Sequence, residues 1–241
     1  MSRSPPIRGL LFDKDGTLLD YRRTWVPINR ELATLAAGGD AEMRDAILRA
    51  GGHDPDTDIV APGSVFAAAG LAEITATMAE VLGPRAPRDL SRLVEATFRD
   101  GGQRHSVLID GVAAALIHYS RLGYRLGIAT NDTEAGIASS LGRHGVLEMF
   151  EFGAGCDSGH GVKPEPGMVH AFADEMGMSV AEIAVIGDSI HDLATARSAG
   201  AGLAIGVLSG TSGREDLAGL ADAIIDSVGD VPALLRVLQP G

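Results

Sequence analysis

Short runs that are apolar at every position recur along this chain, and helical spacing fills most of the gaps between them. The first run is Leu10-Leu11-Phe12, followed at once by Asp13-Lys14-Asp15-Gly16. Others are Leu126-Gly127-Ile128-Ala129 within a strand candidate over 124–129, Ile183-Ala184-Val185-Ile186, residues 203–207 and Ala223-Ile224-Ile225, with a weaker candidate at 149–153. Runs this short, without polar alternation, fit strands buried on both faces. Residues 111–122, 133–144, 166–176, 192–199 and 231–238 carry the spacing of amphipathic helices. Strands alternating with helices predict a parallel sheet covered on both faces, a three-layer doubly wound α/β fold.

One stretch breaks the alternation. Between the first and second strand runs, residues 24–100 read mostly as helix, with candidates at 25–37, 40–50, 64–82 and 90–100. Asp40 is a natural N-cap, and the pairs Gly38-Gly39, Gly51-Gly52 and Gly101-Gly102 are natural stops. Residues 53–63, with Pro55 and Pro62, read as a loop or short hairpin. The chain is therefore expected to divide into an α/β core, residues 1–20 and 106–241, and an inserted α-helical cap domain, residues 21–105.

Composition narrows the function classes. A length of 241 residues with 45% apolar and only 4% aromatic residues allows a core packed by aliphatic side chains. The net charge of −12 disfavours nucleic acid as a partner. The single cysteine, Cys156, excludes an internal disulfide and a Cys-rich zinc site. No run has the length of a membrane span, and residues 1–8 lack the apolar stretch of a secretory signal. A cytoplasmic protein acting on a small molecule, as monomer or homodimer, is the expectation.

Polar residues fall repeatedly where strands end. Asp13 and Asp15 close the first run, with Gly16 and Thr17 behind them. Thr130 and Asn131 close the second, Lys163 lies in the loop after the third, and Asp188, Ser189 and Asp192 follow the fourth. In open α/β sheets that edge holds the ligand. Each residue alone has a plainer reading: an acidic turn, a helix N-cap, a surface lysine, or a first-turn acid favoured by the helix dipole.

Taken in order, these residues resemble the haloacid dehalogenase-like superfamily of phosphotransferases. Asp13-Lys14-Asp15-Gly16-Thr17-Leu18 matches its first motif, Thr130 its second, Lys163 its third and Gly187-Asp188-Ser189-Ile190-His191-Asp192 its fourth. The helical insert resembles the cap of the phosphoglycolate phosphatase-like branch. The resemblance implies a Mg²⁺-dependent phosphatase acting on a small phosphorylated metabolite, phosphoglycolate-like or a sugar phosphate. Asp13 would be the nucleophile and form an aspartyl-phosphate. Asp15 would be acid and then base. Thr130 and the Asn131 backbone N–H would hold phosphoryl oxygens, and Lys163 would neutralise charge. Asp13, Asp188 and the backbone carbonyl of Asp15 would ligate the metal, with Gly16, Thr17, Ser189 and Asp192 in support. Dehalogenases of the superfamily lack an acid at the position of Asp15, so its presence favours phosphoryl transfer.

Three alternatives stand beside this reading. A phosphomutase of the β-phosphoglucomutase type shares the motifs, and a non-catalytic binding protein could share the fold. A carbon–phosphorus hydrolase would need a lysine in the cap, and residues 21–105 contain none. Strand alternation predicts that Lys14 points away from its two flanking aspartates and has little catalytic effect, with the cap or another subunit as what it could meet instead. In the insert, Arg22, Arg23, His53, Arg104 and His105 are candidates to bind an anionic substituent. Trp25 and Phe66 are expected to pack the insert's interior, while Cys156 and His160 shape the loop before Lys163.

Overall fold

The computed structural model describes residues 5–238 of the chain. Strands β1 (Gly9–Phe12), β2 (Arg125–Ala129), β3 (Phe152–Ala154), β4 (Ile183–Gly187), β5 (Leu203–Val207) and β6 (Ala223–Ile225) form one sheet. Their order is β3-β2-β1-β4-β5-β6. Every neighbouring pair is parallel. The order reverses at β1: the chain runs outward through β2 and β3, then returns to add β4 on the other side. Phe12 is in register with both Ile128 and Ile186, so β1, β2 and β4 end level with one another. That places the residues following them at the switch point of the sheet, where a crevice opens.

Side-chain alternation along the strands builds the layers. Leu10, Phe12, Leu126, Ile128, Ala184 and Ile186 face a core shared with α6 (Val112–Arg121), α7 (Glu134–Gly142) and α11 (Val231–Leu238). Leu11, Ala129, Ile183, Val185 and Ala204 face the opposite core, shared with α8 (Gly167–Met176), α9 (Ile190–Ala199) and α10 (Arg214–Leu217). Burial on both faces explains why the strand sequences are apolar throughout.

The helical insert comprises α1 (Tyr21–Ala36), α2 (Ala41–Ala50), α3 (Val65–Ala68), α4 (Leu71–Leu82) and α5 (Leu90–His105). It packs around its own apolar cluster, which includes Ile28, Leu32, Leu48, Met78 and Val94. Three details differ from the pattern-based expectation. The helix expected over 64–82 breaks at Ala69, whose backbone is extended, and Gly70 then caps α4. The helix expected to stop before Gly101-Gly102 continues to His105. There the missing side chain serves packing: a Cβ on Gly101 would lie 2.8 Å from Ile28 Cγ1 of α1. Close helix approach, not chain termination, is what that glycine provides. The third strand also starts later than expected, at Phe152, because residues 147–149 form a 3₁₀ turn.

Candidate active site

The edge where β1, β2 and β4 end carries a buried, charged cluster. Asp13 follows β1, and its N–H donates to Ile186 O (2.8 Å), extending the pairing with β4 by one residue. The chain then turns through Gly16, whose φ of +90° a residue with a Cβ adopts only with strain. Lys163 reaches this point from the loop after β3. Its ammonium donates to Asp13 Oδ1 and to Asp192 Oδ1, both at 2.6 Å. Asp192 is fixed in turn through Oδ2, which accepts from the Ser189 N–H (3.0 Å) and hydroxyl (2.6 Å). Ser189 caps α9, so the start of that helix orients the residue that orients Lys163.

Asp188 lies beside them, one residue past β4. Its Oδ2 accepts from the Thr211 N–H at 2.8 Å. The loop after β5 approaches so closely that a Cβ on Gly210 would stand 1.9 Å from Asp188 Oδ2. A Cβ on Gly16 would stand 2.7 Å from the same carboxylate. Thr130 is buried, and its hydroxyl oxygen accepts from the Asp132 N–H at 3.1 Å, leaving its own proton to donate. Asn131 ties three segments together. Its Oδ1 accepts from the Lys163 N–H (2.8 Å), and its Nδ2 donates to Ala68 O (3.0 Å) in the insert. Thr17 is fully buried behind the turn, away from the crevice.

Lys14 corrects the expectation from strand alternation. Strand β1 ends at Phe12, and the turn that follows directs the Lys14 side chain inward, where it is fully buried. Its ammonium stands 2.6 Å from Asp15 Oδ2 and 3.0 Å from Asp132 Oδ2. The Trp25 ring of the insert lies over it, 5.3 Å from centroid to Nζ, and Trp25 Nε1 donates to Asp15 Oδ1 at 2.7 Å. Both oxygens of Asp15 are therefore held, one by the core and one by the insert.

Electrostatics follow from this burial. Desolvation pushes the Asp13 carboxyl up to about 7, against the attraction of Lys163 and with the repulsion of Asp192 and Asp15. Asp188 is raised well above the usual carboxylate range, first by burial and then by Asp13 and Asp192. For Lys14 and Lys163, burial opposes the charged form. The paired carboxylates overcome it and hold both ammonium groups above their ordinary range. Asp13, Asp188 and Asp192 each offer an oxygen, all within 4.8 Å of one another. An all-oxygen, mutually repelling, buried set is the donor chemistry a hard divalent cation fits. The carboxylate of Asp15 stands outside this group, committed to Lys14 and Trp25.

The cluster forms the floor of a cleft of about 630 Å³, its open mouth included. The insert supplies the opposite wall, in which Trp25 and Phe66 serve the insert's interior and the cleft at once. The five basic residues singled out in the insert line none of it. Arg22 donates to Thr57 O, and Arg104 pairs with Glu31. His53 is fully buried against Asp58, and Arg23 and His105 also lie outside the cleft. Conversely, Lys14, Trp25, Asp132 and Thr211 belong to the site's framework and were not assigned to it by sequence. The Ser209-Gly210-Thr211 turn directly after β5 was the readable signal for the last.

Comparison with known proteins agrees with this architecture. The model of the haloacid dehalogenase-like hydrolase family matches residues 7–200. A phosphoglycolate phosphatase of Vibrio cholerae is 25% identical over 232 residues, 96% of this chain and 97% of that one. A plasmid-borne phosphoglycolate phosphatase of Cupriavidus necator is 30% identical over 237 residues, covering 96% and 94%. Among solved structures, a predicted phosphoglycolate phosphatase from Haemophilus somnus superposes with a TM-score of 0.73 at 19% identity, covering 95% of this chain and 97% of that one. A putative β-phosphoglucomutase from Thermotoga maritima superposes with a TM-score of 0.69 at 19% identity, covering 96% and 100%. Those structural likenesses speak for the fold; the family match, spanning most of the sequence, places this chain in the haloacid dehalogenase-like hydrolase family.

Proposed function

We propose that the protein is a Mg²⁺-dependent phosphatase that hydrolyses a small phosphomonoester through an aspartyl-phosphate on Asp13. The observation that carries the reading is the Asp13 carboxylate at the cleft floor, held by Lys163 at 2.6 Å, with Asp188 beside it and Asp15 two residues on. Asp13, Asp188 and the Asp15 main-chain carbonyl would hold the cation, which supplies neutralisation of the phosphoryl charge.

The chain's own residues account for the remaining chemistry. An oxygen of Asp13 attacks phosphorus, and the ester P–O bond breaks. Asp15, in its protonated form, gives its proton to the departing alcohol oxygen. A water molecule then attacks the same phosphorus while Asp15 takes up its proton. The bond between Asp13 and phosphorus breaks, restoring the carboxylate and freeing inorganic phosphate. Lys163 offsets negative charge at Asp13 and at the transferred group throughout. The Thr130 hydroxyl and the Asn131 N–H donate to phosphoryl oxygens. Residues 21–105 act as a cap that excludes water from the cleft above a core of residues 1–20 and 106–241. The contact from Trp25 to Asp15 makes the cap part of the acid's surroundings.

Incubation with Mg²⁺ and p-nitrophenyl phosphate, beside an Asp13→Asn variant, tests the reading. Phosphate release by the wild type and not by the variant is expected. An inactive wild type, or an equally active variant, contradicts it. Release of phosphate from a sugar phosphate without formation of an isomer separates phosphatase from phosphomutase.

A further inference from the structure

The wall of the cleft that faces the phosphate site is apolar. Trp25, Phe66, Ala69, Leu71, Ile74 and Phe98 line it. Its polar groups are already engaged. Trp25 Nε1 donates to Asp15, the Tyr21 hydroxyl donates to Phe66 O (2.7 Å), and Ala68 O accepts from Asn131. None of the insert's ten arginines or two histidines lines the cleft. Several are paired within the insert: Arg30 with Asp58, Arg85 with Asp40, Arg104 with Glu31. On the core side, Lys163 is held between Asp13 and Asp192, and His191 is the other basic lining residue.

We infer that the substrate's leaving group is an uncharged, largely apolar alcohol, aliphatic or aromatic, and not a hydroxy acid or a sugar. This rests on the phosphatase reading above and specifies its substrate class. A carboxylate on the leaving group would be desolvated against aromatic and aliphatic side chains with no cap cation to meet it. Against this wall the hydroxyls of a sugar would likewise lose water without gaining partners, because the wall's own donors and acceptors named above are already taken. An alkyl or aryl group instead gains from each carbon it buries, about fourfold in affinity per methylene.

The test compares kcat/KM with Mg²⁺ for ethyl, butyl and hexyl phosphate, glycerol phosphate, phosphoglycolate and p-nitrophenyl phosphate. The expected result is a rise of about fourfold per methylene from ethyl to butyl phosphate. Phosphoglycolate should fall roughly 100-fold or more below butyl phosphate, because the wall offers its carboxylate no cation. Leu71→Arg places a cation in the wall and should shift the butyl-to-glycolate ratio towards phosphoglycolate by at least about tenfold. The ratio within one preparation is independent of the folded fraction. Phosphoglycolate or glycerol phosphate turned over as well as butyl phosphate, or a flat alkyl series, overturns the inference and leaves the phosphatase reading standing. Failure to hydrolyse any ester, p-nitrophenyl phosphate included, removes both.

Discussion

Replacing Lys14 with methionine isolates the charge that holds Asp15. Methionine is close to lysine in length and fills much of the same space, so the change removes an ammonium group more than it removes packing. Lys14 is fully buried, with Nζ 2.6 Å from Asp15 and 3.0 Å from Asp132. Removing one partner of a fully buried ion pair costs about 3–5 kcal/mol, because the group left behind is sealed from water. Here the two carboxylates keep 15% and 11% of their side-chain exposure, so water can reach them in part. That lowers the expected loss to about 2–3 kcal/mol. For a chain of this size the corresponding fall in Tm is roughly 4–12 °C. Activity should fall in a way that depends on the leaving group. General acid catalysis contributes about 10²–10⁴-fold, and Asp15 would keep its bond from Trp25, so the loss on butyl phosphate should be about 100-fold. p-Nitrophenolate departs without a proton and should lose less than about tenfold. The measurements are a melting curve and kcat/KM on the two esters. An unchanged Tm, or equal losses on both esters, would refute the assignment of Lys14 to the support of Asp15.

Gly210→Ala forces a Cβ to within 1.9 Å of Asp188 Oδ2, so that carboxylate must move. Misplacement by about 1 Å is worth about 100-fold in rate, so kcat/KM should drop by about that factor. Gly213→Ala, whose Cβ meets nothing nearer than Asp216 Oδ2 at 3.5 Å, should stay within about twofold in the same assay. Mg²⁺ should also stabilise the fold in a pH-dependent way. In the metal-free protein Asp13 is raised from 3.8 to about 7 by burial, so the folded state holds a proton the unfolded state releases. Its destabilising effect is absent below the unfolded pKa, grows as pH rises between the two values and is complete above the folded one. The cation binds the ionised carboxylates, so the gain in Tm on adding Mg²⁺ should be larger near pH 8 than near pH 5. Melting curves at the two pH values check this, and a larger gain at the lower pH contradicts it.

The parallel sheet was legible because strands buried on both faces leave a simple trace: apolar residues at every position, ended by polar ones. The meeting of Asp13, Thr130, Lys163 and Asp188 could be anticipated because parallel strands in register bring their C-terminal ends to one edge. Lys14 was misread because alternation holds only within a strand, and β1 ends at Phe12, before the turn that carries Lys14 inward. The break at Ala69 leaves no clear trace in the pattern, because a single glycine such as Gly70 does not by itself end a helical run. That break matters, since it brings Ala68 O to Asn131 and exposes the small residues of the cleft wall. The basic residues of the insert drew attention by charge, yet Arg104 pairs with the sequence-distant Glu31, and His53 with Asp58 across a short loop.

The central claim is that a covalent phosphoryl group forms on Asp13, and chemical trapping reads it most directly. The enzyme is mixed with Mg²⁺ and p-nitrophenyl phosphate, quenched in acid during turnover, and treated with borohydride. Borohydride reduces an acyl phosphate to the alcohol and leaves free carboxylates untouched. Peptide mass spectrometry should then find homoserine at position 13, and aspartate unchanged at positions 15, 188 and 192. Turnover without homoserine at position 13, or with homoserine at one of the other three, would contradict the account.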